Sequence, residues 1–289
     1  MSTPIKYLLF VCLFCASTCY AKEANTARKS EQQTLPKIIA LSPHIVEMLF
    51  DIGAGEQIIG TSDFADHPEQ AKTIPRIGNY LRLQIERVIE LQPDIIFAWK
   101  SGNPSDDLAR LKTLGFNIVY SQPNTFADIA HEMKYFAELT GHREHGARVA
   151  AQFIKDLNTL QARYQDKAPI QVFYELWSRP LTTIAKGSWP QQHLQICRAV
   201  NPFEQASTPY PQVNIERVLQ APIELIIQPL SINQKDREGF NWEDWPSISA
   251  VKANRIIRPD ADALHRMTKR SLTELNRLCG EIDKVRQSL

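Results

Sequence analysis

"IERVIELQPDIIF" occupies residues 85–97, and 130 positions later "IERVLQAPIELII" occupies residues 215–227. Each begins with a short amphipathic turn, bends at a proline, reaches an acid (Asp94 or Glu224) and runs on into apolar residues with the look of a buried strand. Ile85, Val88 and Ile89, and likewise Ile215, Val218 and Leu219, take i, i+3, i+4 positions. They are expected to face a sheet, which leaves Glu86 and Glu216 outside. Six residues before each glutamate stands a tyrosine, Tyr80 in "GNYLRLQIE" and Tyr210 in "TPYPQVNIE". A helix feeding a strand is the repeating unit of α/β folds, and writing it twice at long range suggests two such halves.

The alternation extends outward from both copies. "KIIALS" reads as a strand. In "PHIVEMLFDIGAG", Ile45, Met48, Leu49 and Ile52 keep helical spacing up to a glycine-rich end. Strands "QIIGTS", "PDIIFAW" and "FNIVYS" then alternate with helices "LQIERVIEL", "DDLARLKTLG" and "TFADIAHEMKYFAELTG". From residue 141 to 167 no proline intervenes, and Val149, Phe153, Leu157 and Leu160 hold one face, so a single long helix is expected. Afterwards come strand "IQVFYEL", helix "QQHLQICRAV", helix "NIERVLQ", strand "PIELIIQ", short helix "SISAVKA", strand "RIIRPD" and a final helix through Cys279. The expected protein is α/β, with two Rossmann-like lobes at residues 36–141 and 169–289 joined by one long α-helix at residues 142–168.

The chain opens "MSTPIKYLLFVCLFCASTCYA", which reads as a secretory signal over residues 1–21 because its apolar run is too short to span a bilayer. Cys19 invites lipid attachment, but Ser17 and Thr18 make a poor site for it, so soluble export is expected. The following polar residues, 22–35, read as a flexible lead-in. Without the signal, 268 residues carry 32 basic and 32 acidic groups, which offers no electrostatic case for nucleic acid or anionic membrane. Three of the five cysteines leave with the signal, and Cys197 and Cys279 remain. In an oxidising compartment a disulfide is the simplest account of such a pair, with two buried thiols the alternative.

Motifs for catalysis are missing: there is no G-x-S-x-G elbow, no Walker A loop and no H-E-x-x-H pair. "GAGEQIIG" has the wrong spacing for a dinucleotide loop and reads as a turn. His142 and His145 lie three apart without partners to complete a metal site, so a solvated helix face is expected. His44 and His265 sit beside apolar positions, where they either find local hydrogen bonds or line a pocket. What stands out is aromatic residues where strands become loops: Phe64, Tyr80, Trp99, Trp177 and Tyr210. Core burial explains most aromatics, yet open α/β sheets bind ligands at the carboxyl ends of their strands, and two facing lobes would form a cleft with aromatic walls.

Together, "KIIALSPHIVEMLFDIGAGEQIIGTSD", "IERVIELQPDIIFAW", the long connector and "PQVNIERVL" resemble the helix-linked (class III) periplasmic substrate-binding proteins over nearly the whole mature chain. "FAWKSGN" and "YPQVNIERVL" point toward their cobalamin branch. The resemblance implies a monomeric periplasmic carrier that holds cobalamin (vitamin B12) between its lobes, performs no catalysis, and needs no cofactor or protein metal ligand. It implies partners in the permease dimer and ATPase subunits of an ABC importer. By position, Phe64, Tyr80 and Trp99 would form one ligand wall and Tyr210, with Trp177 or Leu176, the other, while Asp262 offers a carboxylate. Glu86 and Glu216 would be rim acids, one per lobe, docking on arginines of the two permease subunits. Cys197 and Cys279 match the family's disulfide. Tyr80 and Tyr210 stand where close relatives carry tryptophan, and "ELWSRPLTT" aligns loosely. The nearest alternative is the same fold serving a ferric siderophore, with Arg82, Lys100, Arg179 and Arg266 as candidate cations, or haem, with Tyr80 or His265 as axial ligand. A secreted Ser-His-Asp hydrolase is the rival from another class, and no motif supports it.

Overall fold

The computed structural model describes residues 34–231 and 240–289; the expected leader and all but the end of the lead-in lie outside the described residues. The first lobe contains β1 (Ile38–Ala40), α1 (Pro43–Asp51), β2 (Ile58–Thr61), α2 (Ile85–Leu91), β3 (Ile95–Trp99), α3 (Ser105–Thr113), β4 (Ile118–Ser121) and α4 (Phe126–Leu139). A single helix, α5 (Arg143–Tyr164), leads into the second lobe. That lobe contains β5 (Ile170–Tyr174), β6 (Trp177–Ser178), β7 (Leu181–Thr182), α6 (Trp189–Ile196), β8 (Ala199–Val200), α7 (Ile215–Gln220), β9 (Leu225–Ile227), α8 (Ser249–Lys252), β10 (Ile256–Ile257), α9 (Ala261–His265) and α10 (Lys269–Arg286).

The sheets are parallel, ordered β2-β1-β3-β4 and β10-β9-β5-β8. Counting from the first strand of each sheet, both run second, first, third, fourth, so the lobes share one winding. The two "IERV" helices, α2 and α7, each precede the third strand. The likeness reaches individual bonds. Asp94 accepts from the Lys37 amide at 2.7 Å and returns its own amide to the Lys37 carbonyl at 2.9 Å. Glu224 does the same with Gln171, at 2.8 and 3.0 Å. Each acid therefore ties a third strand to a first.

Alternation along the strands sorts the core. Ile38, Ala40, Ile95 and Phe97 point to one side of the first sheet, and Ile39, Leu41, Ile96 and Ala98 to the other. The first set belongs to one apolar cluster that continues through α4 and α5 to Val172, Tyr174, Leu225 and Ile227 of the second sheet. The connector is thus packed along its length: Ala150, Phe153, Leu157 and Leu160 are buried, and Phe126 of α4 reaches Trp189 of α6 with ring centroids 4.8 Å apart. His193 of α6 is buried against these rings, and its ring nitrogens meet no partner among the described residues. A disulfide joins Cys197 to Cys279, 82 positions apart, which settles the choice between bridge and thiols. Closing a loop of that length contributes about 4 to 5 kcal/mol in the chain-entropy account.

Three sequence expectations are corrected. Ile89 and Leu219 do not face the sheets; they are 45% and 36% exposed. On helices this short the buried arc closes on Val88 and Val218 and stops short of the next position. "QQHLQICRAV" is not all helix, because Arg198 turns left-handed (φ 54°) and Ala199–Val200 become edge strand β8. His142 and His145 are not a bare solvated face. His142 Nε2 lies 2.7 Å from Gln57 Nε2, in the turn before β2, and His145 Nε2 lies 3.2 Å from the Asp51 carbonyl at the end of α1, so together they seat the start of α5.

Between the lobes lies a buried ion cluster. Glu47 of α1, only 3% exposed, accepts from Arg266 Nη1 at 2.9 Å, Arg270 Nη2 at 2.7 Å, Arg270 Nε at 3.2 Å and Thr268 Oγ1 at 2.9 Å. Arg266 also donates to Asp66 at 2.6 Å. Burial opposes the charge on Asp66, but the bond from Arg266 and its charge outweigh this and hold that carboxyl below its usual range. Removing Glu47 leaves Arg266 and Arg270 close together without the carboxylate that both bond. Glu47→Ala is therefore expected to cost about 3 to 5 kcal/mol, read as a lowered midpoint in chemical denaturation, whereas exposed Glu69→Ala should cost under about 1 kcal/mol.

Candidate functional site

The candidate rings sit where strand ends hand over to loops, as parallel-sheet topology favours. Phe64 is 63% and Tyr80 65% exposed, and Trp177 and Tyr210 stand about half out of the surface. Leu81, beside Tyr80, is more exposed still, an outward aliphatic that sequence reading did not single out.

Phe64 and Tyr80 share one platform. The Asp63 amide donates to the Gly78 carbonyl at 2.9 Å, and Asn79 Nδ2 donates to Asp63 at 3.2 Å, so the two loops hold each other. Phe64 adopts a left-handed backbone (φ 65°), uncommon for a bulky residue and a conformation that surrounding bonds must hold. Part of that hold comes from the other lobe, where Arg266 Nη2 donates to the Phe64 carbonyl at 3.2 Å. The same guanidinium approaches Asp262 at 3.8 Å, and Asp262 also accepts from Ser231. Arg266 thus brings together two candidates from opposite lobes.

Trp99 behaves differently: it is partly buried and forms a floor. Asn103 fixes the end of β3 by accepting from the Trp99 amide at 2.6 Å and donating to the Leu41 carbonyl at 2.8 Å. Gly102 lies directly beneath the indole, where any Cβ would fall inside the ring, which explains the glycine in "FAWKSGN". Edge-on to Trp99, at 5.4 Å, lies His44. Its Nδ1 is 2.6 Å from Ser42 Oγ, its Nε2 is 3.0 Å from Ser121 Oγ, and Ser121 donates to Glu132 at 2.6 Å. With the Ser121 proton directed at the carboxylate, Ser121 accepts from His44 Nε2–H and Ser42 donates to Nδ1. Burial, with the charge of Arg266 adding to it, pushes His44 down to about 3, so the ring is neutral. Ser42 is itself buried under this chain, a support for the floor that the linear sequence conceals.

Trp177 and Tyr210 share a second platform. Trp177 in β6 pairs with Thr182 in β7, and Thr182 bridges to Gln212, two residues after Tyr210. Behind them, buried Glu175 accepts from Ser178 at 2.7 Å, Gln228 at 2.8 Å and Trp242 Nε1 at 2.6 Å, fixing the strand end that carries Trp177. Leu176 packs toward the core, so of the two alternatives Trp177 is the one presented outward. Glu86 and Glu216 are exposed at corresponding positions on α2 and α7. A hollow of 490 Å³ lies elsewhere on the seam, among Glu47, Asp51, His67, Lys269, Arg270 and Thr273, and none of the six candidate ligand contacts lines it. Among the described residues no cluster of His, Cys, Asp and Glu is arranged to hold a metal ion.

Residues 38–263 match the model of the family described as periplasmic binding protein, and the chain belongs to that family. Among its relatives is the vitamin B12-binding protein of Vibrio cholerae, 35% identical over 84% of this chain and 87% of the relative. The vitamin B12-binding protein of Vibrio parahaemolyticus is 30% identical over 98% of both chains. The crystal structure of the periplasmic vitamin B12-binding protein BtuF of Vibrio cholerae superposes with TM-score 0.79 at 34% identity, covering 88% of this chain and 99% of that one. The periplasmic haem-binding protein HutB of Vibrio cholerae shares the fold at TM-score 0.73 and 18% identity, covering 85% of this chain and 98% of that one.

Two buried histidines set an acid limit on the site's support. His44 and, through burial and then His265, His193 are both held down to about 3, while the free side chain titrates near 6.5. Below pH 6.5 the unfolded chain binds protons the folded one refuses, so stability falls with pH by about 1.4 kcal/mol per pH unit for each ring. Asp51, raised to about 6 mainly by burial, opposes this between 3.8 and about 6 and offsets roughly one ring there. Denaturation at pH 6, 5 and 4 should show that His193→Leu makes the pH dependence of stability less steep by about one proton relative to the parent.

Proposed function

We propose that this protein captures cobalamin in the periplasm, between its two lobes, and delivers it as a monomer to the permease dimer and ATPase subunits of an ABC importer. The observation that carries the reading is the outward presentation of large apolar side chains on both lobes at the loop-bearing ends of the sheets, while the other phenylalanine, tyrosine and tryptophan rings among the described residues, Tyr120 and Tyr135 apart, are buried or half-buried. Cobalamin is a broad macrocycle with apolar edges, amide arms and its own axial ligands. A carrier for it needs area, shape and a few hydrogen bonds rather than a metal ligand. Phe64, Tyr80 and Trp99 form the first wall, Trp177 and Tyr210 the second, and Asp262 serves as the polar contact. Export through the leader at residues 1–21 places the carrier with its ligand.

Two of the residues named for the alternatives are already engaged. Arg266, one of the four cations an anionic iron chelate would use, is committed to Glu47 and Asp66. His265, an axial candidate for haem, has Nε2 at 2.8 Å from the Tyr174 hydroxyl.

Glu86 and Glu216 dock on arginines of the two permease subunits, one acid for each half of a symmetric gate. Such pairs steer association more than they hold it, and salt weakens them.

Titration of the purified protein with cyanocobalamin, haemin and a ferric siderophore should give a submicromolar response to cobalamin alone, and a flat cobalamin trace rejects the reading. Tyr80→Ala, Trp177→Ala and Tyr210→Ala should each weaken binding by about 10- to 100-fold. The double change of Glu86 and Glu216 to Ala should spare cobalamin binding and impair importer-dependent uptake.

A further inference from the structure

The two exposed aliphatic side chains that escaped the sheets stand in matching places. Ile89 lies three residues after Glu86, and Leu219 three residues after Glu216, so each is the helical neighbour of a proposed docking acid. The buried, exposed pattern is the same on both helices from the glutamate onward: Val88 and Val218 are fully buried, and the residues on either side are exposed. The arginine between acid and aliphatic is occupied in both copies. Arg87 bonds Glu90 at 2.8 Å, and Arg217 lies over the Phe203 ring at 5.6 Å. What each helix leaves available is therefore one carboxylate and one branched aliphatic. Glu86 has only a long contact to Arg110, at 3.8 Å, and Glu216 makes no ion pair among the described residues.

We propose that each lobe docks through a two-part contact, Glu86 with Ile89 and Glu216 with Leu219, in which the acid meets a cation and the aliphatic fills an apolar hollow beside it. The occupant is the outward face of a two-fold symmetric membrane permease. The repetition argues for this partner: two equal patches on pseudo-equivalent helices fit two equal sockets, and a free carboxylate beside each fits a basic one. This rests on the docking role given to the glutamates above. Division of labour follows, since exposed ion pairs are weak and screened while burial of an aliphatic side chain is not. The acids set encounter and salt dependence, and Ile89 and Leu219 set how long the complex lasts.

The test measures binding of the full chain to a vitamin B12 importer, permease dimer with its ATPases, in nanodiscs at low and high salt. Cobalamin titration serves as the control for fold. Ile89→Ser and Leu219→Ser should each weaken docking about tenfold, mainly through faster dissociation, with salt dependence and cobalamin affinity unchanged. Ile89→Leu should behave as the parent. Glu86→Gln and Glu216→Gln should flatten the salt dependence. If the serine variants dock like the parent while the glutamine variants are impaired, this inference fails and the docking reading stands. If neither set is impaired, both fall. If the serine variants dock normally but alter self-association or binding to lipid vesicles, the aliphatic pair belongs to another surface and the inference is overturned.

Discussion

A carboxylate taken out of water has to be answered by fixed donors, and among the described residues Glu47 is answered from the other lobe. Arg266 and Arg270, 219 and 223 positions away, provide the bonds. The ion cluster adds less net stability than its short distances suggest, because all its members give up hydration to form it. Its stronger effect is on register: if the lobes slipped by a few ångströms, both guanidiniums and the acid would be left buried and unmatched. The helix that carries Glu47 organises more than the seam. Ile45, Met48, Leu49 and Ile52 hold α1 in the core, while His44, Glu47 and Asp51 fall along one stripe at i, i+3 and i+7. The first supports the Trp99 floor, the second clamps the lobes and the third borders the hollow beyond.

This arrangement links the two lobes electrostatically as well as mechanically. Arg266 holds Glu47 and Asp66, steadies the left-handed Phe64 through its carbonyl and stands within 3.8 Å of Asp262. It also contributes to keeping His44 neutral, so the floor under Trp99 carries no charge. A cation spent this way is unavailable to an anionic guest. Phe64, Tyr80, Leu81, Trp177 and Tyr210 remain turned outward, alongside the exposed Arg82, Lys100 and Arg179.

The sheets were legible in the sequence because parallel strands buried on both faces read as unbroken apolar runs, and "IIFAW" and "ELII" admit little else. The internal repeat was legible because strand, acid and helix recur in one order. What the sequence hid depended on distance or on fine angles. Nothing in "HIVEMLF" marks Glu47 as buried, since its partners lie at the far end of the chain. Periodicity over-assigned Ile89 and Leu219, because a rule built on long helices counts three inward positions where a helix of six or seven residues has room for fewer. The exposed rings were picked out by their positions near strand ends, whereas the His44 chain under Trp99, formed by residues up to 77 positions apart, required coordinates.

A continuous core and a buried clamp together limit how such a protein can let go of its guest. Wide opening at the connector would expose Phe126, Phe153 and Trp189 and break the Glu47 bonds in one motion, so lobe separation has a steep cost from its first ångströms. A site formed before the ligand arrives loses little entropy on binding, which favours tight capture and makes spontaneous release slow. Release then calls for work applied from outside, and leverage is greatest where a partner grips both lobes away from the seam. α2 and α7 satisfy that condition, since each packs outside its own sheet and leads directly into that sheet's third strand. In one lobe β3 ends at Trp99, and in the other β9 leads to Gln228, the residue that braces Glu175 behind Trp177. The repeated "IERV" turn is therefore placed where a two-fold partner would meet both lobes at matching points.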